Sequence, residues 1–556
     1  MKRALVALLA LTSALASAKP PRLALVISID GMGTELFTRM RPRFKSGLAQ
    51  LANGGAYFPY ARYSFAKTST APGHTTLMTG ADPWRHGVAT NRIFDRASGK
   101  PEPVLFDPDH PLLEAPPSVE DVSPDRIHAE TLADRLRLAT YGRGKVVAIS
   151  VKGRAAIAMA GRLGQAWWFN GPTGKFVTGT YYSKEFPAWV KAFNEKKIPD
   201  SYFGKQWELA QPAKEYAGDD DRPAETDLYA LGRTFPHPLT GGLPGLGAEF
   251  EAALSRTPMM SDVLVQLAKA AIDGEQLGKD EVPDLLCVSF SGIDLLEHLY
   301  GPYSWEVQDA MIRIDRTIGD LLGAAEKAAG SKANLTVVLS ADHGSPALPE
   351  EWASAGLPAA RLNPQTLGAD LAKELKARFG ADLVLGIDED GTDVYLNRRA
   401  IAERKLDLAT VRRAAADFLQ RQPAIALAVT PDELSGDGRG GYLEALRRGY
   451  FPDVSGDVLF LVKPFQIVDS YPSGTNHGTP YSYDATVPVI FFGHGVKAGT
   501  YVQQIDPIDV APTAAALLEM LPPAQAEGSP RPEAISVARG AAGAGPGGAL
   551  AAAGAR

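Results

Sequence analysis

The sequence holds one cysteine in 556 residues, Cys287. No intramolecular disulfide can form. Cys287 lies in the apolar run Leu285-Leu286-Cys287-Val288, which reads as the setting of a buried, inert thiol and not of a catalytic or zinc-ligating one. A basic excess is also missing: 57 Lys and Arg stand against 64 Asp and Glu, for a formal net charge of −7. That balance argues against a nucleic-acid-binding surface, since such a surface needs broad positive charge. It leaves room for a locally positive site that takes a small anion. Beyond the N-terminus no apolar run is long enough to span a bilayer, and no internal repeat is present.

What is there begins with an export signal. Lys2 and Arg3 precede an Ala-, Leu- and Val-rich stretch from Ala4 to Ala14, and Ala16-Ser17-Ala18 is a small-x-small cleavage site. The stretch is shorter than the ~20 residues of a spanning helix, and Lys19-Pro20-Pro21 ends it. We expect residues 1–18 to be a signal peptide, the mature protein to be periplasmic or secreted, and no membrane span to remain after cleavage. With no disulfide available, stability must come from the core, to which bound metal would add.

Four short apolar runs end in residues capable of chemistry: Leu23 to Asp30, Lys145 to Lys152, Asp284 to Ser291 and Leu335 to Asp342. Near-continuous apolar runs indicate strands buried on both faces, as in parallel sheets covered by helices. Amphipathic stretches lie between them, for example Ala310 to Ala329. The expected fold is α/β, a doubly wound, mostly parallel sheet flanked by helices, with cap or lid insertions. Residues 19–523 form the expected catalytic domain. Its insertions are at about 155–260, with the aromatic Trp167-Trp168-Phe169 and little helical period, and at 350–470, with strands at Val394 to Leu396 and Ala424 to Val429 and a helix from Leu406 to Phe418. Residues 524–556 are Ala-, Gly- and Pro-rich and read as a disordered tail.

Ligands of such sheets bind beyond the carboxyl ends of the strands, which is where the polar residues fall. Asp30 ends a strand and precedes Gly31, a position for a metal ligand or for the cap of the next helix. Asp342-His343-Gly344 offers an oxygen and an imidazole side by side. Asp294 and His298, at i and i+4, share a helix face and can chelate one ion or form a solvated pair. His477 sits in the loop Gly474-Thr475-Asn476-His477-Gly478, where packing has little use for it. Thr70, in Thr68-Ser69-Thr70-Ala71-Pro72-Gly73-His74, is placed as an N-cap with Pro72 in the first turn. There its hydroxyl faces free N–H groups and the positive end of a helix dipole; on that segment alone a cap without chemistry is the favoured reading.

The order Asp, Thr, Asp-x-x-x-His, Asp-His, His over the chain resembles the alkaline phosphatase superfamily, from about Leu23 to Leu521. The resemblance implies two metal ions, usually zinc, ~4 Å apart and clamping the attacking and leaving oxygens. Asp30, Thr70, Asp342 and His343 would hold one ion, and Asp294, His298 and His477 the other. Zn²⁺ suits these donors, which also admit Mn²⁺ or Co²⁺. His86-Gly87-Val88-Ala89-Thr90-Asn91 is similar to the stretch that supplies a phosphate-contacting asparagine, Asn91, in phosphodiesterase-like and threonine-type members. Val151-Lys152-Gly153-Arg154 resembles the Lys-x-Arg pair of the threonine-nucleophile monoesterases. The resemblance therefore implies small-molecule phosphate esters as substrates and a phosphothreonine intermediate on Thr70, with Asn91, Lys152 and Arg154 on the nonbridging oxygens. A monoester with nearly two negative charges suits both cations better than a diester does.

Within the superfamily the rival is a nucleotide phosphodiesterase or pyrophosphatase, which shares the metal ligands and Asn91 but gives no role to Lys152 and Arg154. A sulfatase would need a modified cysteine or serine in a Cys/Ser-x-Pro-x-Arg context, from which Thr70-Ala-Pro-Gly-His departs; a cofactor-independent phosphoglycerate mutase would use serine in the cytosol. An inactive phosphate- or metal-binding protein has no need of the nucleophile. His74 and His86, each followed or preceded by glycine, are assigned to structure, and Gly73 to close helix packing.

Overall fold

The apolar runs become neighbouring strands of one sheet, as their lack of polar alternation requires. The computed structural model describes residues 19–116, 118–388, 393–435 and 441–536. The main sheet has nine strands: β1 (Leu23–Ile29), β2 (Ala56–Arg62), β3 (Val146–Ser150), β4 (Gln165–Asn170), β5 (Lys175–Val177), β6 (Asp284–Phe290), β7 (Leu335–Ser340), β8 (Thr486–Gly493) and β9 (Gly499–Thr500). Their order is β9-β2-β8-β7-β1-β6-β3-β4-β5. The central β7, β1, β6, β3 and β4 run parallel, while β8 and β5 pair antiparallel to them. Every residue of β1, β3, β6 and β7 is buried. This is the expected mostly parallel α/β sheet.

Four helices position the chemistry: α1 (Thr70–Thr79), α2 (Gly153–Ala160), α3 (Gly292–Tyr300) and α4 (Trp305–Ala329). α4 starts earlier than its apolar period suggested, because the Ser304 hydroxyl accepts the Val307 N–H at 3.1 Å and adds a capped turn. Its buried stripe, Val307, Met311, Ile314, Ile318, Leu321 and Ala325, faces the core.

The insertion expected at 155–260 is smaller than that range. Trp167-Trp168-Phe169 belongs to β4, buried between β3 and β5, and the segment 155–177 is sheet and helix, not lid. Aromatic bulk gives no period that separates a buried edge region from a cap, which is why the sequence reading misplaced it. The irregular part lies between β5 and the helices Ala248–Ser255 and Pro258–Gly274. The second insertion is an α+β subdomain with its own core. Its antiparallel strands run Val384–Ile387, Asp393–Leu396, Val458–Val462, Ile425–Val429 across the sheet, with helices Pro364–Phe379 and Leu408–Gln420 packed on them.

The tail also needs correction. Residues 524–536 are seated on the domain: the Ala524 N–H donates to Glu130 (2.6 Å), Glu527 accepts the Asp82 N–H (3.0 Å), and Ala534 is fully buried. Backbone and carboxylate bonds hold this segment, so its lack of large apolar residues was a poor guide. Residues 1–18, read as the signal peptide, and residues 537–556 lie outside the described residues. Among the described residues no helix is long and apolar enough to cross a membrane.

Candidate active site

The sheet delivers its polar residues to one place. Asp30 follows β1, Lys152 follows β3, α3 follows β6, and Asp342-His343 follow β7. Asp30 is not a cap: the next helix begins at Thr34 with Gly33 in the cap position. Asp294 and His298 share a face of α3 as their spacing implied, with His298 Nε2 at 3.4 Å from Asp294 Oδ1.

α1 arrives by a close approach. A Cβ on Gly73 would collide with the Asp342 carbonyl oxygen, so glycine lets the first turn of α1 lie on the end of β7. Ser69, not Thr70, holds the N-cap position, and Thr70 is the first helical residue. Pro72 then falls where a helix needs no N–H donor. The Ala71 N–H donates to Asn91 Oδ1 at 2.8 Å, which fixes Asn91 at the helix start beside Thr70.

The three ligand-type histidines are held alike. His298 Nδ1 meets the Thr475 carbonyl at 2.9 Å, His343 Nδ1 the Gly344 carbonyl at 3.0 Å, and His477 Nδ1 the Thr68 carbonyl at 2.9 Å. A carbonyl only accepts, so each Nδ1 carries the proton and each Nε2 of a neutral ring presents a lone pair inward. Those Nε2 atoms face carboxylates: His343 lies 3.4 Å from Asp30 and 3.4 Å from Asp342, and His477 lies 3.4 Å from Asp294. The loop of His477 reaches α3 through Gly474, at φ +81°, where a Cβ would collide with the His298 carbonyl oxygen.

Acceptor facing acceptor is repulsive unless a cation stands between. Asp30 Oδ1, Asp294 Oδ1 and His343 Nε2 are buried with no hydrogen-bond partner, while Asp30 Oδ2 meets the Lys152 ammonium at 2.8 Å and Asp342 Oδ2 meets His74 Nδ1 at 3.1 Å; the set fits metal ions. Donor atoms of Asp294, His298 and His477, and of Asp30, Asp294 and His343, cluster within 4.8 Å of one another. Burial would lower the His343 pKa, but the carboxylates of Asp342, Asp30 and Asp294 outweigh it and push it up to about 10, so without a metal cation at Nε2 a proton takes that place. Burial likewise pushes Asp342 up, yet His343, His74 and Lys152 hold it well below the usual carboxylate range. The cluster is short of positive charge.

Lys152 answers part of it. Its Nζ lies 2.8 Å from Asp30 Oδ2, 2.5 Å from Asp294 Oδ2 and 3.1 Å from Thr70 Oγ1. Arg154 lines the same cleft as Thr70 and Asn91. Its Nε is buried without a partner, and among the described residues no carboxylate reaches it within 4.0 Å. All ten sequence-selected residues therefore converge here. His74 bonds Ser289 (2.9 Å) and the Thr70 carbonyl (2.9 Å) and lies 3.1 Å from Asp342 Oδ2, and His86 bonds Thr76 (3.0 Å).

Sequence reasoning missed Glu297 and Arg256. Glu297, one turn from Asp294 on α3, is buried with both carboxyl oxygens unbonded, and burial with the nearby Asp294 raises its pKa well above the usual range. The i,i+3 spacing from Asp294 was its visible signal. Arg256, in the cleft wall, gave none.

Residues 24–480 match the type I phosphodiesterase/nucleotide pyrophosphatase family. The chain is 32% identical to the alkaline phosphatase PafA of Elizabethkingia meningoseptica, over 93% of this chain and 94% of that one. It is also 32% identical, over 93% and 95%, to a Myroides odoratus protein named a calcium-transporting ATPase. Alkaline phosphatase PhoV of Synechococcus elongatus is 30% identical over 90% and 91%. The crystal structure of wild-type PafA superposes with a TM-score of 0.86, covering 94% of this chain and 100% of that one at 32% identity.

Proposed function

The chain belongs to the type I phosphodiesterase/nucleotide pyrophosphatase family, within the alkaline phosphatase superfamily, and from that premise we propose that Thr70 is its nucleophile. It is an alkaline phosphatase, a hydrolase of phosphate monoesters. The observation that carries the Thr70 reading is the placing of one hydroxyl: Thr70 Oγ1 opens a buried helix, within 3.1 Å of the Lys152 ammonium that also meets Asp30 and Asp294.

The donor set fits two Zn²⁺ ions, one held by Asp30, Thr70, Asp342 and His343, the other by Asp294, His298 and His477; Mn²⁺ or Co²⁺ suits the same atoms. Such ions supply charge to the attacking and departing oxygens of an in-line displacement. The chain's residues do the rest. The positive end of α1 and the Lys152 ammonium lower the cost of a negative Thr70 Oγ1. That oxygen forms the new P–O bond as the ester P–O bond breaks, and the alcohol leaves. Water then attacks the phosphothreonine, releasing phosphate and restoring the hydroxyl. Asn91, fixed beside Thr70 by the bond from the Ala71 N–H to its Oδ1, takes a nonbridging oxygen. Arg154, with no carboxylate within 4.0 Å among the described residues, takes another. Lys152 shares Asp30 and Asp294 with the proposed ions; with those carboxylates engaged by a metal, its ammonium would be available to the phosphoryl group.

The segment Lys2 to Ala18 supports export and cleavage. The phosphodiesterase reading shares every donor but leaves Arg154 without work. Acid quenching during turnover of a labelled monoester tests the nucleophile: the label is expected on the peptide containing Thr70 and absent from Thr70→Ala. Label on Ser69 or Thr68 would show that a different hydroxyl attacks.

A further inference from the structure

The cleft has a volume of ≈ 430 Å³, several times what a phosphoryl group fills. Beyond Thr70, Asn91 and Arg154 it is lined by Thr226, Leu228, Tyr229, Arg256 and Tyr471. The segment carrying Tyr229 is stitched to the elements of two histidines. The Thr226 N–H donates to the Leu299 carbonyl of α3 at 2.8 Å, the Gly474 N–H donates to the Ala224 carbonyl at 3.0 Å, and the Thr226 and Ser473 hydroxyls are 2.7 Å apart. Tyr229 and Arg256 thus stand on the His298–His477 side of the cleft. With Asn91, Lys152 and Arg154 committed to the phosphoryl group, this side receives the rest of the substrate.

Arg256 has almost nothing to do in the protein itself. Its guanidinium carbon lies 4.6 Å from the Tyr229 ring centroid. One N–H donates to the Ala252 carbonyl at 2.9 Å, and among the described residues no carboxylate comes within 4.0 Å. Burial pushes its pKa below the usual guanidinium value, and Asp294 is among the groups that act against that shift. Arg222, Arg361 and Arg412, whose side chains are about as sheltered, each hold a carboxylate, as sheltered charges generally do. The exception matches Arg154 in the same cleft, which a phosphoryl oxygen explains. The chain under Arg256 is also strained: Tyr229 and Ala230 are consecutive non-glycine residues at φ +57° and +52°, a costly conformation that clusters at ligand sites.

We propose that Arg256, stacked on Tyr229, is a second anion subsite, selecting monoesters whose leaving group bears a further oxyanion, a carboxylate or a second phosphate. Tyr229 and Tyr471 line the same cleft, so an aromatic leaving group suits it. The subsite rests on the monoesterase reading for its meaning, and its test does not depend on turnover. Calorimetry on the zinc-loaded protein would compare phenylphosphonate, 4-carboxyphenylphosphonate and benzene-1,4-diphosphonate; the last two separate carboxylate from phosphate as the second anion. Wild type is expected to bind at least one of the doubly acidic ligands about ten-fold more tightly than phenylphosphonate, as a charged hydrogen-bonded contact implies. Arg256→Met should abolish that preference, and Arg256→Lys should retain part of it, with thermal melting to show that both fold. The same preference should appear in kcat/KM for 4-carboxyphenyl phosphate over phenyl phosphate. Wild type without a preference for either acidic ligand, or Arg256→Met with the wild-type preference, would overturn the proposal. Intact binding preference with no hydrolysis of any phosphate monoester would support the subsite and count instead against the monoesterase reading.

Discussion

Two sets of buried carboxylates in this molecule are built on opposite plans. Asp457, in the α+β subdomain, is fully buried. One of its oxygens takes Arg96 at 2.8 Å and the Leu396 N–H at 3.0 Å; the other takes Arg398 at 2.7 Å and Arg412 at 2.8 Å. Burial pushes its pKa up, and the arginines outweigh burial and hold it below the usual range. Asp30, Asp294 and Asp342 are buried as deeply, but their donors are one lysine, the Gly31 N–H and His74, and Asp30 Oδ1 and Asp294 Oδ1 face the Nε2 atoms of His343 and of His298 and His477. The subdomain closes its electrostatics within the protein and so fixes a fold. The cleft leaves donors over, and those donors are what bind and react.

The contrast breaks most sharply at Asp294, the residue common to both donor groups. Asp294→Ala is expected to lower monoester kcat/KM on the order of 10⁴-fold, about 5 kcal/mol, with bound zinc falling in parallel. Steady-state kinetics and elemental analysis check it; full activity with full zinc would erase the distinction drawn here. Asp457→Ala should do the reverse. Three guanidinium groups would lose their shared partner, costing about 3–5 kcal/mol of unfolding free energy, while kcat per folded molecule holds. Denaturant melts followed by assay at low denaturant separate the two effects.

Smaller in size, and sharper as a test of substrate class, is removal of either phosphoryl-facing cation. Lys152→Ala or Arg154→Ala should cost monoester hydrolysis about 2–4 kcal/mol and diester hydrolysis less, since a diester has one nonbridging oxygen fewer to offer. The kcat/KM ratio should move toward diesters, and the double mutant should be non-additive because both groups serve one oxygen system. An unchanged ratio would favour the phosphodiesterase reading.

The smallest effect concerns a buried ring with no ionic partner. Burial holds His86 neutral, with its pKa lowered to about 3, against about 6.5 in the unfolded chain. The unfolded state therefore binds the extra proton in acid. The stability tied to neutral His86 is whole above pH 6.5 and drains as pH falls toward 3, with about 2 kcal/mol lost between pH 7 and 5. Melting curves of wild type and His86→Gln over that window should differ in slope, the variant being flatter; parallel slopes would refute the assignment.

The sequence displayed the parallel strands and their polar ends because a strand buried on both faces shows no alternation and must turn polar where it emerges. It displayed the donors because Asp342 adjoins His343, and Asp294 lies one turn from His298. The position of Thr70 was legible to within one residue: both Ser69 and Thr70 can cap, and only the register of Pro72 in the folded helix chose Ser69. Trp167 to Phe169 could not be told from a lid, since membership of a sheet depends on which strands arrive beside it. The seating of residues 524–536 rests on Glu130 and Asp82, hundreds of positions away. Arg256 was invisible for the same reason: a missing carboxylate partner is a property of the fold.

Zinc titration of the chelated protein, following bound metal and phenyl phosphate turnover together, tests most directly that the leftover donors of the cleft are completed by ions. Two equivalents per chain should bind at Asp30, Asp294, Asp342 and the three histidines, with activity near zero before titration and maximal at about two. Full turnover by the metal-free protein, or saturating activity with no zinc bound, would contradict the account.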